Sequence, residues 1–120
     1  AVRGFDTGPG NGLMDAWTTR HRGQAFDADG AWSKSGTVDQ VLLDRLCSDP
    51  FFDVAPPKST GREYFNLPWL ARSLPATPPP EPACVQATLR ALTAQTIARA
   101  LVRWCGPVDR VIVCGGGRHN

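Results

Sequence analysis

Two glycine clusters carry the residues best suited to chemistry in this sequence. The first is Gly4-Phe5-Asp6-Thr7-Gly8-Pro9-Gly10-Asn11, in which a short apolar run ends in one carboxylate and opens into a glycine-rich turn. Glycine lets the backbone approach a ligand where a side chain would collide. A helical pattern follows at once, and the unpaired N–H groups at a helix start favour anions. Asp6 beside such a turn suits a proton acceptor held next to a phosphorylated substrate. The same residues also make a plain strand-to-helix connection. The second cluster, Gly115-Gly116-Gly117, closes the apolar run Val111-Ile112-Val113-Cys114. A third stretch, Lys58-Ser59-Thr60-Gly61-Arg62-Glu63, sets small hydroxyl residues between two cations. It could contact a phosphate or a nucleotide edge, or be an exposed loop with capping residues.

Other arrangements fall short of known chemistry. No G-x-x-x-x-G-K-[ST] occurs, and Gly8-Pro9-Gly10-Asn11-Gly12 has the wrong spacing for the dinucleotide G-x-G-x-x-G. Hydride transfer is therefore disfavoured. The two histidines, His21 and His119, form no Ser/His/Asp arrangement with their neighbours. Asp27-Ala28-Asp29-Gly30 opens like a calcium loop but lacks the later ligands and the closing Glu, so an Asp-rich turn capping a short helix is expected. Cys47, Cys84, Cys105 and Cys114 include no C-x-x-C pair, so metal-ligand spacing is absent and buried, reduced thiols of a cytosolic protein are expected.

The elements that position these residues follow from pattern. Ala1 to Phe5 reads as a strand, and Gly8 to Asn11 as a turn. Asn11 is placed to cap a helix that carries Leu13, Met14 and Trp17 and stops at Gly23. A short helix ends at Ser35-Gly36. Another, capped by Thr37 or Asp39, presents Val41, Leu42, Leu43 and Leu46. Asn66 to Leu70 starts a short helix with Pro68 in its first turn. The proline-dense stretch Leu74 to Pro82 is an extended loop. Ala83 to Trp104 is the longest helix, with Val85, Leu89, Leu92, Thr96, Ala100 and Trp104 in a stripe widened by Ile97 and Leu101. Arg110 to Cys114 is a strand whose apolar run suits burial on both faces.

The order strand, helices, strand fits a parallel crossover in an α/β fold, where ligands bind at the carboxyl ends of strands. Two strands do not make a stable sheet. At 120 residues this is one domain or part of one. It starts at Ala1 inside a strand pattern and stops at Asn120 after a glycine cluster, so an excerpt of a longer protein is expected. A hydrophobic fraction of 42% with 20% charged residues fits a globular chain. A net charge of +2 with scattered basic residues argues for neither a nucleic-acid nor a membrane-surface partner. No apolar run reaches the length of a membrane span, and no signal-peptide pattern opens the chain.

Taken together, the motifs resemble the anhydro-N-acetylmuramic acid kinase family. The resemblance is carried by Gly4 to Asn11 with Met14-Asp15-Ala16-Trp17, and by Phe26-Asp27 with Asp29-Gly30-Ala31-Trp32. It continues in Lys58 to Glu63 with Phe65 to Leu70, and in Val113 to Gly117 with Asn120. It implies a partial ribonuclease H-like lobe of the sugar kinase, Hsp70 and actin type, with residues 1–120 a fragment of the C-terminal lobe of a two-lobe enzyme. It implies a cytoplasmic bacterial kinase that uses ATP and Mg²⁺. Such an enzyme opens 1,6-anhydro-N-acetylmuramic acid with water and phosphorylates O6, giving N-acetylmuramic acid 6-phosphate in cell-wall recycling. Asp6 matches the catalytic base. Gly8, Pro9, Gly10 and Asn11 match the turn that brings sugar and phosphate together. Gly115, Gly116 and Gly117 match the adenosine side, and Lys58, Ser59 and Thr60 are assigned to the nucleotide side by analogy. No resident metal site is expected, and a homodimer is the candidate assembly. The alternative is a non-catalytic ATP-binding module of the actin or Hsp70 type. Arg118-His119 departs from the smaller residues expected after the glycines.

Overall fold

A computed structural model describes residues 8–54, 63–75 and 80–105, with only the backbone of the last two. Among these residues the chain is helical. Helix α1 spans Gly10–Arg22, α2 Ala31–Ser35, α3 Gln40–Cys47, α4 Leu67–Ala71 and α5 Pro82–Ala100. The expected strands, 1–5 and 110–114, lie outside the described residues, as do Trp104's side chain and Cys114.

Helix α5 is the spine on which α1, α2 and α3 pack. Its stripe is as expected at Val85, Leu89, Leu92, Thr96 and Ala100, all buried. Ile97 departs from it: at 38% exposed it lies on the flank rather than in the core. Past Ala100 the helix loosens into a π-turn over Leu101–Cys105. Leu42, Leu43 and Leu46 of α3 join Leu13, Met14 and Trp17 of α1 in one apolar core. Val41 does not, at 64% exposed. Each helical residue turns by about 100°, so a stripe centred on 42, 43 and 46 leaves 41 outside.

The caps explain where the helices begin and end. Gly23 adopts a left-handed conformation with φ 67°, and its N–H donates to the Thr19 carbonyl at 3.0 Å. Ser35 ends α2 and Gly36 turns the chain away. Gly36 is pressed on the start of α5, where an added Cβ would lie 2.2 Å from the Ala83 carbonyl oxygen. Asp39 caps α3, accepting from the Leu42 N–H at 3.1 Å, while its own N–H donates to Thr88 Oγ1 of α5 at 2.9 Å. Asn66 caps α4 by accepting from the Trp69 N–H at 3.0 Å.

Helix α1 starts earlier than its capping pattern suggests. Gly10 takes φ 59° and is already the first helical residue, with Pro9 at the N-cap position and no side-chain cap. Asn11 therefore sits inside the first turn. A glycine with positive φ redirects the chain by itself, so no Asx cap is required. The thiols also differ from expectation: Cys47 and Cys84 are free but half-buried.

A second centre of order lies under the 3₁₀ turn Pro50–Asp53. The Asp49 carboxylate accepts from Trp69 Nε1 at 2.8 Å, Tyr64 OH at 2.7 Å and the Phe51 N–H at 2.9 Å. Burial works against its ionisation, but these hydrogen bonds and the nearby Arg72 outweigh it and hold the carboxyl below its usual range. Phe52, Phe65 and Trp69 pack around this hub, Phe52 stacked on Phe65 with centroids 5.6 Å apart. The hub fastens α4 to the segment after α3.

Candidate functional site

The glycine turn is built against α5. Gly8 packs so closely that an added Cβ would lie 3.0 Å from both the Phe52 ring and Thr96 Oγ1. Gly10 is different: space around it is open, and its left-handed φ is what requires glycine. The Gly10 carbonyl accepts from Thr93 Oγ1 at 3.3 Å, and that hydroxyl also reaches the Leu89 carbonyl at 3.0 Å. Two threonines one turn apart on α5 thus support the turn from below. The first turn of α1 holds no acidic residue and no side-chain cap. Among the described residues no side chain caps its N–H groups, and these with the positive end of a 13-residue helix favour an anion.

Two hollows flank this helix start. Gly12 opens onto a cleft of about 480 Å³ that runs past Asp15, Ala16 and Thr19 to Asn66, the cap of α4, and Pro68 within it. Asn11, one residue earlier, opens onto a smaller hollow of about 220 Å³ between α1, α2 and α5. Its polar wall includes Asp27, Ser33, Gln86, Arg90 and Thr93, and Met14 and Ile97 contribute apolar surface. Asp27 is 4% exposed, and its two oxygens accept from the Trp32 and Ser33 N–H groups at 2.8 and 2.9 Å. This is the capping turn expected at Asp27 to Gly30, with Asp29 and Gly30 both left-handed. Ser33 Oγ donates to the Gly30 carbonyl at 2.9 Å, and Arg90 reaches Ser33 Oγ at 3.5 Å. Gln86 is 1% exposed, and among the described residues its Oε1 has no hydrogen-bond partner. A buried carbonyl without a donor costs about 1–3 kcal/mol.

Of the residues singled out by sequence, Gly8, Pro9, Gly10 and Asn11 are brought together at the head of α1. Asp6, Lys58, Ser59, Thr60, Gly115, Gly116 and Gly117 lie outside the described residues. Gln86 and Thr93 escape a reading by periodicity, which counts Thr96 only as part of the core stripe. The available signal is that Gln86 interrupts Val85 to Leu89, a run otherwise of apolar and threonine residues. Among the described residues, no group of three His, Cys, Asp or Glu side chains could hold a metal ion, and no helix is long and apolar enough to cross a membrane.

A family model described as "Anhydro-N-acetylmuramic acid kinase" matches residues 1–120. A protein of that name from Xanthomonas campestris pv. campestris (strain 8004) is 55% identical over 120 residues, covering 100% of this chain and 32% of the relative. One from Xylella fastidiosa (strain Temecula1) is 52% identical over 119 residues, covering 99% and 31%. One from Cupriavidus metallidurans is 50% identical over 121 residues, covering 99% and 32%. The chain therefore spans about a third of the length of the curated relatives it matches.

Proposed function

This chain belongs to the anhydro-N-acetylmuramic acid kinase family, and from that we propose that its protein phosphorylates 1,6-anhydro-N-acetylmuramic acid with ATP. The carrying observation is 55% identity to a protein of that name across all 120 residues. In this reading water opens the 1,6-anhydro ring at the anomeric carbon, and O6 takes the γ-phosphoryl group to give N-acetylmuramic acid 6-phosphate. The reaction belongs to recycling of cell-wall sugars in the bacterial cytoplasm.

Each part of this chain then has a task. Asp6 takes the proton from the attacking water, a role that needs a carboxylate within hydrogen-bond reach of it. The Gly8–Asn11 turn sets backbone N–H groups beside sugar and phosphate. The start of α1 supports that role, because its first turn holds no acidic residue and no side-chain cap, and an anion there meets donors and a favourable dipole. Gly115, Gly116 and Gly117 lie against the adenosine, with Lys58, Ser59 and Thr60 on the same nucleotide. Mg²⁺ carried with ATP would supply neutralisation of the charge that develops in phosphoryl transfer. The chain is read as part of the C-terminal lobe of a sugar kinase-type fold, and as a homodimer, which sedimentation would test.

The test is direct. Full-length protein incubated with the anhydro sugar, ATP and Mg²⁺ is assayed for N-acetylmuramic acid 6-phosphate by mass spectrometry. We expect product from the wild type and a loss of 100-fold or more in kcat for Asp6→Asn, as for removal of a general base. Wild-type turnover in the Asp6→Asn protein refutes the assignment of Asp6, and no product from the wild type refutes the kinase reading.

A further inference from the structure

Helix α5 meets the glycine turn at both ends through two threonines. Thr93 and Thr96 stand at i and i+3, so they share one face of the helix. Thr96 packs beside Gly8, where an added Cβ would lie 3.0 Å from its Oγ1, and that hydroxyl donates to the Thr93 carbonyl at 3.1 Å. Thr93 Oγ1 stands 3.3 Å from the Gly10 carbonyl oxygen and 3.0 Å from the Leu89 carbonyl oxygen. Its single proton is shared between the two acceptors. The Leu89 bond lies within α5 and is of a kind that any helical threonine can make. The Gly10 bond joins residues 83 positions apart and ties two elements together.

What that bond fixes follows from the planarity of the peptide. In a trans peptide the C=O and the next N–H lie in one plane and point opposite ways. Holding the Gly10 carbonyl from α5 therefore sets the direction of the Asn11 N–H. That N–H belongs to the first turn of α1, where the helix itself offers no partner. Gly10 has no side chain to resist rotation of this peptide, and its φ of 59° is one of several regions open to glycine. In the helical pattern the Met14 N–H donates to the same carbonyl. That bond closes only the end turn of a helix, which opens easily, whereas Thr93 holds the carbonyl from a separate element. We propose that Thr93 is a positioning residue of the kinase reaction: through the Gly10 carbonyl it sets the Asn11 N–H, and with it the glycine turn, in the direction phosphoryl transfer requires. The inference rests on the kinase reading for the reaction. Thr93 acts through Gly10 and has no chemical step of its own.

Steady-state kinetics on the full-length protein, with 1,6-anhydro-N-acetylmuramic acid, ATP and Mg²⁺, compare wild type with Thr93→Val, Thr93→Ser and Thr88→Val. Valine keeps the shape of threonine and removes the hydroxyl, and serine keeps the hydroxyl. Thr88 is the control. Its hydroxyl also joins α5 to another element, accepting from the Asp39 N–H at 2.9 Å and donating to the Cys84 carbonyl at 2.7 Å, with no bond to the turn. We expect kcat to fall roughly tenfold in Thr93→Val, with KM for sugar and for ATP within about twofold of wild type, because a misplaced group weakens the transition state more than the ground state. Thr93→Ser and Thr88→Val should keep kcat within about twofold of wild type. Thr93→Ala repeats the measurement without the bulk of valine. Amide hydrogen exchange gives a readout that needs no turnover: the Met14 amide should exchange faster in Thr93→Val than in wild type or Thr93→Ser. An unchanged kcat in Thr93→Val and Thr93→Ala overturns the proposal and leaves Thr93 structural only. So does a loss that Thr93→Ser or Thr88→Val shares in full. Absence of turnover by the wild type overturns the kinase reading, and exchange at Met14 then decides the rest. Faster exchange in Thr93→Val keeps Thr93 as the residue that sets the turn, and unchanged exchange overturns that too.

Discussion

Replacing Gly36 by alanine should be among the most damaging one-carbon changes in this chain. Gly36 ends α2 where that helix meets the first residues of α5. A Cβ there would lie 2.2 Å from the Ala83 carbonyl oxygen, 2.4 Å from its carbon and 2.8 Å from the Cys84 nitrogen. All three are backbone atoms, so no rotamer change relieves the contact. The Gly36 φ of −99° is open to any residue, so the cost is steric and not conformational. The two segments must separate by roughly 1 Å at a half-buried contact of backbone on backbone, where close packing leaves no slack. Overpacking with side-chain relief costs about 1–3 kcal/mol. With backbone on the far side, about 3 kcal/mol or more is expected. The comparison is Gly23→Ala, where the added Cβ meets nothing within 4 Å and the left-handed φ of 67° alone costs about 1–2 kcal/mol. Urea unfolding of the two full-length variants, followed by tryptophan fluorescence, measures both. Failure of Gly36→Ala to accumulate as folded protein agrees with the reasoning. A Gly36→Ala midpoint at or above that of Gly23→Ala refutes it.

Further outcomes follow from single contacts. Thr93→Val removes the hydroxyl shared by the Gly10 and Leu89 carbonyls and should cost about 0.5–1.5 kcal/mol in urea unfolding, with Thr93→Ser closer to wild type. The folded-state pKa of Asp49 is lowered, so its stabilisation is present above the unfolded value near 3.9 and lost as pH falls through the lower folded value. Urea midpoints measured from pH 5 down to about pH 2 should show that loss, and Asp49→Asn should flatten it. Burial pushes the Cys47 thiol up, against the opposing charge of Arg99, and Sγ contacts Gln95 Oε1 at 3.4 Å. Alkylation of Cys47 by iodoacetamide at pH 8 should therefore be slower than that of a free cysteine peptide.

Local chemistry is what a single sequence discloses best here. Gly23, Ser35-Gly36, Asp39 and Asn66 mark helix ends because each acts on backbone groups within a few residues. The buried stripe of α5 is legible for the same reason, since periodicity is local. Val41 and Ile97 are misread because apolar type does not say which side of a helix meets its neighbour. Asn11 is misread because a capping side chain and a left-handed glycine are alternative ways to start a helix, and Gly10 uses the second. The glycine turn is visible in sequence as a candidate site. Its supports on α5 are not, because Thr93 lies 83 residues from Gly10 and carries no local mark of that contact. Gln86 is hidden more deeply: only the fold reveals that its Oε1 is enclosed without a partner among the described residues.

The hold of α5 on the glycine turn also has a mechanical side. Thr93 grips the Gly10 carbonyl, and Gly8 is wedged between Phe52 and Thr96. Helix α5 acts as a splint for that turn. Any rotation that carries α5 carries the head of α1 with it, so the turn keeps its shape while its position changes. The Gly8–Gly10 turn is thus held at both ends, despite two glycines that would suggest freedom. The pliancy of those glycines is spent on fitting the turn to the splint, and a ligand arriving there meets a surface already set.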